Sequence, residues 1–117
     1  LGVHIYPLWE GKGIKQGMSF TIEGIEKVMQ ALPGAQIAIL EAGWATTANE
    51  FKERANEANQ KLYYDEFKKW SETNNVTVFF FEAFDEPWKG NDTPNAAEKN
   101  WGIFFEDRTP KLVIKKD

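Results

Sequence analysis

Three short apolar runs punctuate the chain, GVHIYPLW, QIAILEA and VTVFFFEAF, and each is nearly continuous instead of alternating apolar with polar positions. Such runs predict parallel strands covered on both faces. Between the first two lies TIEGIEKVMQALPG, where Ile22, Ile25, Val28, Met29 and Leu32 recur at helical spacing and Pro33-Gly34 supplies a stop. The second connector is longer. Thr47 and Glu50 form a capping-box pattern, and Phe51, Ala55, Ala58 and Leu62 form an apolar stripe that rotates toward Tyr63, Phe67 and Trp70. Glu50 with Arg54, Glu57 with Lys61 and Asp65 with Lys69 are acid-then-base pairs four apart, each worth a few tenths of a kcal/mol, roughly. Asn74-Asn75 closes this helix. From Asp85 onward, Pro87, Gly90, Asn91, Asp92, Pro94 and Asn95 mark a long loop. After it, NWGIFF reads as a short helix or turn before a basic tail.

The order strand, helix, strand, helix, strand predicts right-handed crossovers and a parallel α/β sheet. The strand-end residues Tyr6, Glu41 and Glu82 stand 35 and 41 positions apart, near the roughly 31 residues per unit of an eightfold barrel of about 250 residues. A doubly wound sheet fits this spacing too. No glycine-rich phosphate loop follows any strand, which leaves its nucleotide-binding version little support. The units run 1–34, 35–75 and 76–117 within a single domain.

Composition narrows the function classes. At 117 residues, 42% hydrophobic and 27% charged, the chain is in the range of one folded domain. A net charge of −4 with interspersed signs provides no basic stripe, so nucleic acid is not an expected partner. No apolar run reaches the roughly 18 to 20 residues of a membrane-spanning segment. The start at Leu1 reads as a mature or excised piece. Cysteine is absent and His4 is the single histidine, which disfavours a thiolate or histidine metal site. Five tryptophans in a 15% aromatic chain suit stacking against sugar faces as well as core packing.

Ligands of parallel α/β sheets meet the carboxyl ends of the strands. Glu41 stands at such an end, Glu10 just after the first strand, and Glu82, Asp85 and Glu86 at the third. One such acid alone reads as a solvated loop residue. Three successive strand ends with acids beside tryptophans point to glycoside chemistry, where one carboxylate attacks the anomeric carbon and another protonates the leaving oxygen.

The motifs LEAGWAT, FFFEAFDEPWKG and AEKNWGIFF, in this order, resemble the C-terminal part of glycoside hydrolase family 17, the β-1,3-glucanases and β-1,3-glucosyltransferases. VHIYPLWEG resembles that family's sixth strand, so the likeness covers almost the whole chain. The resemblance implies β/α units forming about strands 6 to 8 of a TIM (β/α)8 barrel. It implies that Glu41, in the E-x-G-W motif, is the nucleophile, and that Glu86, Lys89 and Glu98 form a polar network around it. Lys89 would hold Glu41 ionised, since a nearby cation lowers a carboxylate pKa. His4 and Tyr6 match strand-six positions near the cleaved sugar, although His4, alone near the start of an apolar strand, reads equally as a hydrogen-bonded core histidine. Trp9, Glu10, Glu82, Asp85 and Trp88 complete the candidate substrate contacts. Trp44 is also a candidate, although it reads more readily as packing beneath the site. Asp85 could bond the loop backbone instead, Glu82 could be a buried partner of Lys89, and Trp70 reads as core.

Ala45 stands where the family usually has proline, and Leu40 where it has a small residue. Neither touches the chemistry at Glu41. The family's general acid ends strand four, and no residue here matches it, so the expected protein is part of a retaining β-1,3-glucan hydrolase or transglycosylase, weak or inactive alone. A fragment of this kind exposes sheet edges and an inner face, which predicts self-association or pairing with the missing N-terminal barrel half. The alternative is a non-catalytic glucan-binding or self-assembling module. A weaker option is another family of the same barrel clan. The expected ligand is a β-glucan or other oligosaccharide, no metal or organic cofactor is required, and family membership implies a secreted, periplasmic or cell-surface setting.

Overall fold

The computed structural model describes residues 1–115. Lys116 and Asp117, the end of the expected basic tail, lie outside the described residues. The elements are β1 (Gly2–Ile5), α1 (Ile14–Ala31), β2 (Ala38–Ala42), a short 3-10 turn (Lys52–Arg54), α2 (Glu57–Asn74), β3 (Thr77–Phe80) and a second 3-10 turn (Ala97–Lys99). The strands form one sheet in the order β1-β2-β3, all parallel.

Both helices cover the same face. α1 packs on β1 and on α2, and α2 packs on β3. Between them and the sheet lies a core containing Ile25, Ile39, Trp44, Tyr63 and Phe67, all essentially without solvent contact. The other face is bare, contrary to the expectation of strands covered on both sides. Burial alternates along β1 and β3, and Leu40 and Phe79 are exposed. In a closed barrel that face is the filled interior, which explains why the runs read as apolar throughout.

α1 begins at Ile14, ahead of the stretch that carries the clearest periodicity, and buries Gly17, Met18, Thr21 and Ile25. Gly17 is there for close approach: a Cβ would sit 2.7 Å from Cζ3 of Trp44. α2 begins at Glu57, capped by Asn56, whose side chain accepts from the Asn59 N–H at 2.7 Å. The Thr47/Glu50 capping box therefore does not start the helix. Glu50 instead accepts the Ala97 N–H at the second 3-10 turn, and Phe51 and Ala55 are buried from the loop rather than from a helical stripe. The Glu50–Arg54 helical pair accordingly does not exist: Arg54 donates to the carbonyls of Leu8 and Lys12. Gln60, Tyr63 and Phe67 form the buried stripe of α2, while Leu62 faces out. Lys61 and Asp65 pair across one turn at 3.1 Å, and Asn75 ends the helix in the left-handed conformation.

The NWGIFF stretch is neither helix nor turn but irregular, with a bend at Ile103 and with Phe104 bridged to Phe84 and Pro110. The Glu82 N–H donates to Trp101 O at 3.0 Å, and the N–H groups of Ile103 and Phe104 donate to the carbonyls of Glu82 and Ala83, each at 2.9 Å. Burial of Trp101 against the core holds this segment beside the chain that leaves β3.

Candidate active site

Glu41 lies near the carboxyl end of β2, and the register places His4 of β1 directly beside it. Tyr6, the first residue after β1, donates its hydroxyl to Glu41 Oε2, and His4 Nδ1 stands 3.4 Å from the same oxygen. Tyr6 is itself held edge-on by Trp101 and Phe81, with ring centroids 5.3 and 6.0 Å away. Burial first, then the bond to Glu41, then the charges of Glu41, Glu82 and Glu98, push the Tyr6 phenol well above its ordinary pKa. It stays protonated and remains a donor. A phenol donor aimed at one carboxylate oxygen leaves the other free to act.

Around this pair opens a cleft of about 350 Å³ lined by Tyr6, Trp9, Glu41, Phe81, Lys89, Glu98 and Trp101. A larger cavity, about 720 Å³, opens at the other ends of the strands among residues such as Leu1, Ile37, Leu40 and Val76. Among the described residues no acidic or basic side chain lines it, and a third cavity, about 470 Å³, has Asp85, Lys99, Glu106 and Asp107 in its lining but not Glu41.

Several sequence-selected residues meet at this cleft: Tyr6, Trp9, Glu41, Lys89 and Glu98 line it, with His4 on Glu41. Trp9 packs edge-on against Phe51 at 4.6 Å. Glu86 and Glu82 join through Lys89. Its ammonium contacts Glu86 and lies 3.5 Å from Glu82, and it sits 4.9 Å above the Phe81 ring. The donor at Glu41 is thus Tyr6, with His4 Nδ1 close by, and the ion pairs of Lys89 fall on Glu82 and Glu86. The Glu86 bond holds the Lys89 ammonium above its usual range.

Other candidates lie elsewhere. Glu10 is exposed on the turn after β1, outside the cleft lining. Trp88 is 71% exposed in the long loop. Trp44 is fully buried and donates its indole N–H to Arg54 O at 2.9 Å. Asp85 accepts from the Gly102 N–H at 2.9 Å and from Lys111 Nζ at 2.7 Å.

Two supporting residues escaped the sequence reading. Lys111, read as part of a basic tail, has no solvent exposure and also donates to Thr46 Oγ1 at 2.7 Å. Burial pulls its ammonium below the usual range while Asp85 pulls the other way. Gln60, buried on α2, donates to Trp44 O at 3.1 Å and Gly102 O at 2.9 Å. Together they tie the loops after β2 and β3 to each other. Nothing local in sequence marks a lysine or glutamine for that task, because both are ordinarily surface residues. Trp101, by contrast, stood in plain view within NWGIFF. Gly43, in the E-x-G-W motif, is required by contact: a Cβ would fall 2.1 Å from Phe81 O.

The sequence profile of the BtgE/BtgC glycoside hydrolase domain matches residues 1–102. The chain belongs to this glycoside hydrolase family. A glucan 1,3-beta-glucosidase of Arthroderma benhamiae is 32% identical over 94% of this chain and 40% of its own length. The crystal structure of a glycoside hydrolase family 17 beta-1,3-glucanosyltransferase from Rhizomucor miehei matches 98% of this chain and 42% of its own, with TM-score 0.85 and 27% identity. An active-site mutant of that enzyme in complex with laminaritriose matches over the same shares, with TM-score 0.86 and 26% identity. The expected kinship with family 17, and with the C-terminal part of its barrel, is borne out. The BtgE/BtgC-type chain spans about 40% of the length of the relatives it matches. Among the described residues no helix is long and apolar enough to cross a membrane.

Proposed function

We propose that this chain carries the nucleophile half of the site of a retaining β-1,3-glucan hydrolase or transglycosylase. Glu41 attacks the anomeric carbon, the glycosidic oxygen leaves with a proton, and a glycosyl-enzyme ester forms. Water or another sugar hydroxyl then displaces Glu41 and restores the carboxylate. The observation that carries this reading is Glu41 itself, at a strand's carboxyl end in a cleft, with Tyr6 donating to one of its oxygens. Tyr6 and His4 orient the carboxylate, and Trp9 and Trp101 supply an aromatic wall. The proton for the leaving oxygen comes from a second carboxyl, which retaining enzymes hold about 5 to 5.5 Å from the nucleophile. Barrel strands outside this chain supply that acid, and β-1,3-linked glucose oligomers are the substrate.

The test uses the protein carrying its complete barrel. Glu41→Ala should lower turnover of laminari-oligosaccharides at least a thousandfold, roughly, and azide should restore turnover by forming a glycosyl azide of inverted configuration. Undiminished activity sinks the assignment. Binding of the oligosaccharide by the unsubstituted protein, without turnover, would favour the glucan-binding module instead.

A further inference from the structure

Glu82 follows β3 with its backbone held from both sides, by Trp101 O and by the Ile103 N–H. Its side chain is therefore aimed by the main chain, and it is only 12% exposed. Oε1 lies 3.5 Å from Lys89 Nζ, which also contacts Glu86 Oε2. Two carboxyls face one ammonium. Glu82 Oε2 is a buried oxygen without a hydrogen bond, whereas Glu86 Oε2 has Lys89. Ionised carboxyls only accept, so a Glu82 carboxylate leaves Oε2 orphaned, whereas a proton on it supplies a donor toward Glu86. Burial, followed by the bond to Glu86, raises the Glu82 carboxyl to about 7 against the opposing pull of Lys89. The Lys89 bond holds Glu86 below the usual carboxylate range.

We propose that Glu82 is a positioning residue for the candidate nucleophile: it shares one proton with Glu86, seats Lys89 at the cleft wall and sets the charge that Glu41 faces. This rests on the function proposed above. With the proton in place, Glu82, Glu86 and Lys89 together are neutral. Without it they carry one negative charge, and Glu82 Oε2 is left without a partner. The charged and titratable groups around them are Tyr6 and His4 from β1 and its end, Glu41 from β2, Glu98 and Lys99 from the second 3-10 turn, with Lys99 Nζ donating to the carbonyls of Pro87 and Lys89, and the Asp85–Lys111 pair behind. Lys111 is occupied by Asp85, which leaves Lys89 as the ammonium that lines the cleft among the described residues. An ionised Glu82 therefore leaves a net negative charge behind the Lys89 wall of the cleft in which Glu41 acts. A carboxyl that binds its proton more tightly folded than unfolded contributes stability below the ordinary carboxylate range. That stability is lost as pH rises toward and through about 7.

The experiment compares the complete-barrel protein with its Glu82→Gln variant from pH 5 to 9. Infrared difference spectra should show the wild type losing a protonated-carboxyl band around neutral pH that Glu82→Gln lacks. The ratio of kcat/KM at pH 5.5 to that at pH 8 should be at least threefold larger in the wild type than in the variant. A band lost equally in both proteins, or in neither, overturns the shared proton. A band confined to the wild type with superimposable pH profiles overturns the positioning role. If the wild type shows no turnover sensitive to Glu41→Ala, the function reading fails, and the infrared comparison still decides the proton.

Discussion

The two faces of the sheet differ in what holds them. Toward the helices, Ile39, Trp44, Tyr63 and Phe67 are sealed in a core that this chain completes with its own residues. On the opposite face His4, Leu40 and Phe79 meet water. A β/α unit buries its outer face locally, by folding its helix back, whereas its inner face is buried only by strands across the barrel. The rim at the carboxyl ends is a third case: Lys111, Asp85 and Gln60 bind its loops together with hydrogen bonds.

Truncation on the helix side should do most damage. Phe67→Ala should cost about 3 to 5 kcal/mol in urea unfolding, since the ring is fully buried against Tyr63. A loss under 1 kcal/mol would mean that this core is not close-packed. Lys111→Ala comes next. It leaves Asp85 buried without its cation and should cost about 3 kcal/mol, and Lys111→Met with Asp85→Asn should recover more than half. If the double variant is no better than the single one, the pair is not what joins these loops. Phe79→Ala should be smallest, within about 0.5 kcal/mol in this chain, because its ring is 58% exposed. In the complete barrel the same change should cost about 3 kcal/mol. Equal losses in the two backgrounds would erase the distinction between the faces.

Much of the fold was legible because strands and helices announce themselves by local period. QIAILEA and VTVFFF became β2 and β3, and Ile25 and Phe67 took core positions as their spacing required. The start of α2 was not legible. Thr47 and Glu50 satisfy the capping rule, yet Asn56 provides the cap, since Phe51 and Ala55 gain more by packing from a loop. At the site, the strand-end rule brought Tyr6 and Glu41 together correctly. It also selected Trp88, which points to solvent, and Asp85, whose carboxylate is taken up by Gly102 and Lys111. An acid beside a strand end has the same local pattern whether it faces a cleft or a lysine.

Local order of residues determined the parallel β/α units, the placement of Glu41 at a strand end and, through three ordered motifs, the family. These follow from spacing along one chain. Only the tertiary structure decided that Tyr6 and not Lys89 donates to Glu41, that Glu82 and Glu86 face one ammonium, and that Lys111 is buried. Each depends on which side chain arrives from a distant segment, and burial and charge pairing act on distance in space rather than on position in sequence.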